Sequence, residues 1–266
     1  METLSSAQNP KIKGLLALQE KSRLRRSSGL FVLEGKRELQ HCIEAGFEID
    51  SIFVCPQIAG DDFSVPDGVR CFSVSPEIYA RIACREGTEG VIAEVRCRSH
   101  SLSGLDKVLQ DKPDPLIMVV ESVEKPGNLG AIFRSADAGG ADAVLVCDPL
   151  TDLYNPNLIR SSIGSVFCVP SAVCSSDEAI AWLKGHRIQI LTAQLQDSSL
   201  YYDRDMTAGT AIVMGTEATG LSDAWRQAAD AHIRIPMLGR LDSLNVSVSA
   251  AILLYEAVRQ RMSDKL

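Results

Sequence analysis

The chain reads as α/β, with a mostly parallel sheet in its C-terminal part and a smaller α/β domain before it. Two patterns predict this. From Leu116 onward, short apolar runs alternate with helical stretches, the arrangement of a parallel sheet covered on both faces. Ahead of it, helix and strand signals alternate on a smaller scale as far as Val95. The length of 266 residues, 45% hydrophobic and 23% charged, suits one large soluble domain or two smaller ones.

Asn9 as cap and Pro10 at the first position start an amphipathic helix carrying Ile12, Leu15, Leu16 and Leu18. The basic stretch Lys21 to Ser28 reads as a loop. Leu30 to Leu33 is a short strand, Glu38 to Ala45 a helix ended by Gly46, and Ile49 to Cys55 a strand before Pro56. The alternation continues through a helix at Tyr79 to Ala83 and a strand at Gly90 to Val95. Residues 1–98 form this first domain, and the polar, proline-containing segment 99–114 reads as a linker, briefly helical over Leu102 to Leu109. In residues 115–266 the strands are Leu116 to Val120, Ala143 to Cys147, Phe167 to Ala172, Ile188 to Thr192, Ala211 to Met214 and His232 to Ile235.

The longest apolar runs fall far short of the roughly 20 residues of a membrane helix. With no apolar signal core at the N-terminus, a cytoplasmic location is expected. The 8 cysteines are scattered without a C-x-x-C pair, so reduced core thiols are expected and no metal site. A net charge of −7 argues against indiscriminate coating of nucleic acid. The sum hides a basic segment: Lys11, Lys13, Lys21, Arg23, Arg25, Arg26, Lys36 and Arg37 are opposed only by Glu20 and Glu34. Alone it is either a solvated helix face with a basic loop or a phosphate-binding surface.

An open parallel sheet binds ligands at the carboxyl ends of its strands, and three segments there carry polar, glycine- or proline-marked turns. The first holds Asn128, Gly130 and Arg134 at the start of a helix, where backbone N–H groups and an arginine suit an anion. Asn128 could equally be an ordinary N-cap and Arg134 a surface charge. The second, Gly215 to Ser222, mimics the frame of a phosphate-binding loop, but Leu221 stands where the lysine must be, which disfavours an NTPase. Gly215 lets the backbone pass close to something, and Glu217 is the only carboxylate before Gly220 turns the chain. The third runs from Ile235-Pro236-Met237 through Ser243-Leu244-Asn245 into a helix with small residues Ser247, Ser249, Ala250 and Ala251.

In order, N-x-G-x-x-x-R, G-x-E-x-x-G-L and I-P-M through S-L-N-V-S-V resemble the three signature motifs of the SpoU/TrmH branch of the SPOUT RNA methyltransferases, over roughly Leu116 to Arg259. The N-terminal part, with its basic loop and Phe31-Val32-Leu33-Glu34-Gly35, looks like the substrate-binding domain often attached to this family, related in shape to ribosomal RNA-binding proteins. The resemblance implies S-adenosylmethionine-dependent methylation of a ribose 2′-hydroxyl in structured RNA, ribosomal RNA before transfer RNA. It also implies a deep trefoil knot, against the general rarity of knots, and a homodimer with its active site at the subunit boundary.

Carried over residue by residue, the resemblance places cofactor contacts on Thr192, Ala193, Gly215, Ile235, Met237 and Leu244, and catalytic or positioning roles on Arg134, Asn128, Glu217, Ser243 and Asn245. RNA contacts fall on Lys21, Arg23, Arg25, Arg26, Lys36 and Arg37. A guanidinium holds its proton in nearly all proteins, so Arg134 suits stabilisation of an alkoxide or phosphate better than proton removal. A catalytically silent RNA-binding or ribosome-assembly protein of the same fold is the alternative from another class. Intact Asn128, Arg134, Glu217 and Asn245 weigh against it.

Overall fold

The structure is a computed structural model and describes residues 1–61, 63–84, 89–216 and 219–263. Two compact units divide the chain: Met1–Ser99 with Asp152–Cys168, and His100–Thr151 with Val169–Leu266.

The first unit contains, in chain order, β1 (Glu2–Leu4), α1 (Pro10–Glu20), α2 (Ser22–Ser28), β2 (Leu30–Glu34), α3 (Lys36–Glu44), β3 (Ile49–Val54), α4 (Pro56–Ala59), β4 (Arg70–Val74), α5 (Pro76–Ile82) and β5 (Val91–Arg96). Its sheet has the order β1-β4-β3-β5-β2, parallel among the first three and antiparallel around β5. The side chain of Asn9 accepts the Lys11 N–H, and Pro10 opens α1 where its missing donor costs nothing. Ile12, Leu15 and Leu18 of α1 pack on Val32, Phe53 and Ile92 of the sheet. Burial pushes the Cys42 thiol up to about 12 and the Cys97 thiol to about 11, so both stay protonated at neutral pH.

In the second unit come α6 (Leu102–Leu109), β6 (Leu116–Glu121), α7 (Pro126–Ala138) and β7 (Ala143–Cys147). The chain then supplies α8 (Pro156–Ser162) and α9 (Ser165–Cys168) to the first unit. It returns with β8 (Ser171–Cys174), α10 (Ser176–Gly185), β9 (Gln189–Ala193), β10 (Ser199–Leu200), β11 (Thr210–Met214), α11 (Asp223–Ala228), β12 (Ala231–Arg234) and α12 (Val246–Ser263). All seven strands are parallel, in the order β10-β12-β9-β11-β6-β7-β8. Every residue of β6, β7 and β11 is buried. Ile117, Val119, Leu145 and Val213 meet α6, α10 and α11 on one face. The alternate residues Met118, Val120, Val144 and Ile212 are equally buried, on the face where α7 and α12 pack.

Three expectations are corrected. Lys21 to Ser28 is mostly helical, because Arg25 is drawn inside instead of facing solvent. Its Nη1 donates to the Leu18 and Gln19 carbonyls at 2.6 and 3.0 Å, which α1 leaves without helical partners. Its Nη2 and Nε reach the two carboxylate oxygens of Asp152 at 2.7 and 3.2 Å. Arg25 is therefore structural and is removed from the RNA-contacting set. The supposed linker is not one, since Leu105 and Leu109 of α6 belong to the second unit's core. The expected strand from Phe167 to Ala172 is split, with Phe167 in α9 and the strand starting at Ser171. Phe167 is claimed by an aromatic cluster of the first unit, with ring centroids 5.7 Å from Phe31 and 5.3 Å from Phe47. Strands β1 and β4 and helix α4 lie where no element was expected.

Removing one partner of a buried ion pair leaves the other uncompensated. Arg25→Ala is expected to lower stability by about 3 kcal/mol, read by thermal unfolding.

Candidate active site

Strands β12, β9 and β11 are neighbours, so their carboxyl ends reach the same edge of the sheet. There a cleft of about 640 Å³ is bounded by the segments that follow them. Ala193 to Gln196 come from the end of β9, Met214 to Thr216 and Thr219 to Leu221 from the turn after β11, and Ile233 to Ile235 with Met237 from the end of β12. The fourth wall is Asp242 to Val246, with Ser249 and Leu253 of α12.

The turn after β11 is closed on itself. The Thr216 and Gly220 backbones exchange hydrogen bonds at 3.2 and 3.1 Å, and the Thr216 Oγ1 accepts the Thr219 N–H at 3.0 Å. Gly220 takes a left-handed conformation with φ +70. The backbone that Gly215 passes close to is this same turn: a Cβ on Gly215 would lie 2.4 Å from the carbonyl carbon of Gly220 and 2.6 Å from the Leu221 nitrogen. Glu217 lies outside the described residues.

The wall ahead of α12 is tied to α7. The Asn245 Nδ2 donates to the Asn128 Oδ1 at 3.2 Å, across 117 positions of chain. Asn245 also starts α12, its Oδ1 accepting the Ser247 N–H at 3.0 Å and the Ser247 hydroxyl at 2.6 Å. Asn128 is not the cap of α7: Lys125 holds that position and Pro126 the first turn, leaving the Asn128 side chain for Asn245.

Of the expected cofactor contacts, Ala193, Gly215, Ile235, Met237 and Leu244 line the cleft, together with Ser243 and Asn245. Thr192 does not. It is fully buried in the sheet, its Oγ1 2.6 Å from Nδ1 of His232 on the paired strand. Arg134 is exposed on α7 and does not line the cleft of its own chain. The first motif thus separates: Asn128 meets the third motif, while Arg134, six residues along the helix, points from a different side. In the first unit Lys21, Arg23, Arg26 and Arg37 are exposed and Lys36 is half-buried.

Sequence reasoning missed Gln194, Arg226 and Arg234, polar side chains on the cleft wall. Gln194 directly follows a parallel strand, a position that could have been flagged. Arg226 sits in a short helix with no motif of its own.

The sequence pattern of the SpoU rRNA Methylase family matches residues 115–255. The chain belongs to this family. An MRM3-like substrate binding domain matches residues 9–93. Among curated relatives, the 23S rRNA (guanosine(2553)-2′-O)-methyltransferase RlmP of Bacillus subtilis is 27% identical over 259 residues, 96% of this chain and 98% of its own. The 23S rRNA (uridine(2479)-2′-O)-methyltransferase of Streptomyces viridochromogenes is 30% identical over 98% of this chain and 93% of its own. Among solved structures, an AdoMet-bound rRNA methyltransferase from Sinorhizobium meliloti superposes with a TM-score of 0.86 at 27% identity, covering 97% of both chains. An RNA 2′-O ribose methyltransferase does so with a TM-score of 0.83 at 38% identity, covering 98% of this chain and 99% of the other.

A side chain at Gly215 has no room without displacing main chain. Gly215→Ala is expected to lower stability by about 1–3 kcal/mol in thermal unfolding.

Proposed function

We propose that this protein transfers a methyl group from S-adenosylmethionine to a ribose 2′-hydroxyl of ribosomal RNA. The observation that carries the reading is the Asn128–Asn245 hydrogen bond, which joins the first motif to the third at the wall of a cleft already lined by the second. Motifs that merely stabilised separate turns would have no reason to meet.

The residues present fit the cofactor. A volume of about 640 Å³ lies within the usual range for ligands of this size. Ile233, Met237, Leu244 and Leu253 offer apolar walls, suited to adenine, while the turn after β11 offers main-chain groups. Gly215 keeps that turn packed where any side chain would intrude. Bound S-adenosylmethionine supplies a sulfonium methyl that is already electrophilic.

The protein's part is to orient and to stabilise charge. Asn245 and Ser243 line the cleft, and Asn128 holds Asn245 in place. Glu217 is assigned a positioning role from the second motif. The Arg134 guanidinium stabilises the developing alkoxide or the neighbouring RNA phosphate, while phosphate or water takes the hydroxyl proton. Arg134 lies outside its own cleft, an arrangement that suits a homodimer in which it serves the cleft of the second copy. Supporting this, the cleft rim and α12 carry apolar side chains with no cover: Leu238 is 96% and Leu241 75% exposed, with Val248 and Tyr255 also exposed. The non-sequential placement of β12 between β10 and β9 suits a knotted C-terminal region. Lys21, Arg23, Arg26, Lys36 and Arg37 contact RNA phosphates from the first unit.

Two measurements test this. Mapping ribose methylation across total RNA from cells with and without the gene is expected to lose a 2′-O-methyl mark in ribosomal RNA; an unchanged ribosomal pattern overturns the assignment. Arg134→Ala is expected to cut methyl transfer by about 10²–10³-fold while calorimetry finds nearly unchanged affinity for S-adenosylmethionine. Equal loss of cofactor affinity contradicts that division of labour.

A further inference from the structure

Glu121, the last residue of β6, is 6% exposed and lies outside all three motifs. Its Oε2 accepts the backbone N–H of Ser222 at 2.8 Å, across 101 positions of chain. Its Oε1 lies 3.1 Å from the Ser176 hydroxyl oxygen, which accepts the indole N–H of Trp225 at 2.9 Å. Asp148 completes the cluster, with Oδ2 2.6 Å from the Ser176 Oγ and 3.1 Å from its backbone N–H.

Two of these partners adjoin the cleft. Ser222 follows Gly220 and Leu221, which line it, and Gly220 is the residue against which Gly215 packs. Trp225 is fully buried in α11, next to the cleft residue Arg226. The turn after β11 is held at its start by the β11 ladder with β6 and β9. Its far end is held by Glu121. The surrounding backbone is over-determined: Ser122 and Asp148 adopt left-handed conformations, with φ 52 and 47, at the ends of adjacent strands. The Ser122 N–H donates to the Cys147 carbonyl at 2.9 Å and the Asp148 N–H to the Cys174 carbonyl at 3.0 Å, which keeps both in place.

We infer that Glu121 is a positioning residue for the cofactor cleft: its carboxylate, bonded to the Ser222 N–H and set against the Ser176 hydroxyl that holds Trp225, fixes the turn and helix that carry Gly220, Leu221 and Arg226. A carboxylate accepting a backbone N–H makes a charge-assisted bond with fixed direction, so the constraint is geometric as well as energetic. This rests on the reading of the cleft as the S-adenosylmethionine site.

The test compares the full-length wild type with Glu121→Gln, Glu121→Asp and Glu121→Ala by calorimetric titration with S-adenosylmethionine, methyl-transfer kinetics and thermal unfolding. Gln keeps an oxygen where Ser222 needs it, whereas Asp draws the carboxylate back by one methylene. Ala and Asp are expected to weaken cofactor binding by about tenfold, with little change in kcat at saturating cofactor, and Gln to retain most of the affinity. Should Ala fail to fold, the comparison of Asp with Gln carries the same information. Wild-type affinity in the folded Asp variant, or equal impairment in Gln and Asp, overturns the inference. A wild-type chain that binds no S-adenosylmethionine ends this inference and the functional reading together. Normal wild-type binding with unaffected variants ends only the former.

Discussion

Parallel pairing of β12, β9 and β11 is the constraint on which the site depends. Parallel strands end at the same edge, so segments that follow residues 193, 214 and 234 are delivered to one place although the chain between them is long. Nothing in the individual turns would bring them together. The ladder does so through main-chain bonds that are indifferent to side-chain identity, which leaves the side chains beyond the strand ends free to be selected for the cleft.

The turn after β11 illustrates how little freedom remains once the ladder is made. Its first residue, Gly215, abuts the backbone of Gly220 and Leu221, while its last contacts run through Ser222 to β6. Main-chain groups fixed before a ligand arrives lose little entropy on binding, and Gly215, Gly220 and Leu221 are held in this way. The same economy is visible at Asn245. One side chain starts α12 with its oxygen and holds Asn128 with its nitrogen, coupling the helix to the cleft wall.

Local charge has two fates in the first unit. Arg25 sits in the same basic run as Arg23 and Arg26, yet its guanidinium satisfies two orphan carbonyls of α1 and pairs with Asp152. Its neighbours stay in solvent, where they are available to phosphate. Within the first unit, the excursion Asp152–Cys168 thus contributes a carboxylate for Arg25 as well as two rings, Tyr154 and Phe167, for the cluster around Phe31.

Whatever is encoded over a few consecutive residues could be read directly: Asn9-Pro10 as a helix start, the apolar runs of β6, β7 and β11 as buried strands, and three polar turns in the right order for a known family. Membership of that family follows from these residues. Tertiary structure decided which core each apolar run joins, as with Phe167, and whether a charge is buried, as with Arg25. It also decided that Asn128 serves Asn245 in place of its own helix, that Thr192 closes a strand pair rather than the cleft, and that Glu121 anchors Ser222. The reason is common to all of them. Each depends on a partner between 40 and 136 positions away, and a local pattern carries no information about which distant group will complete it.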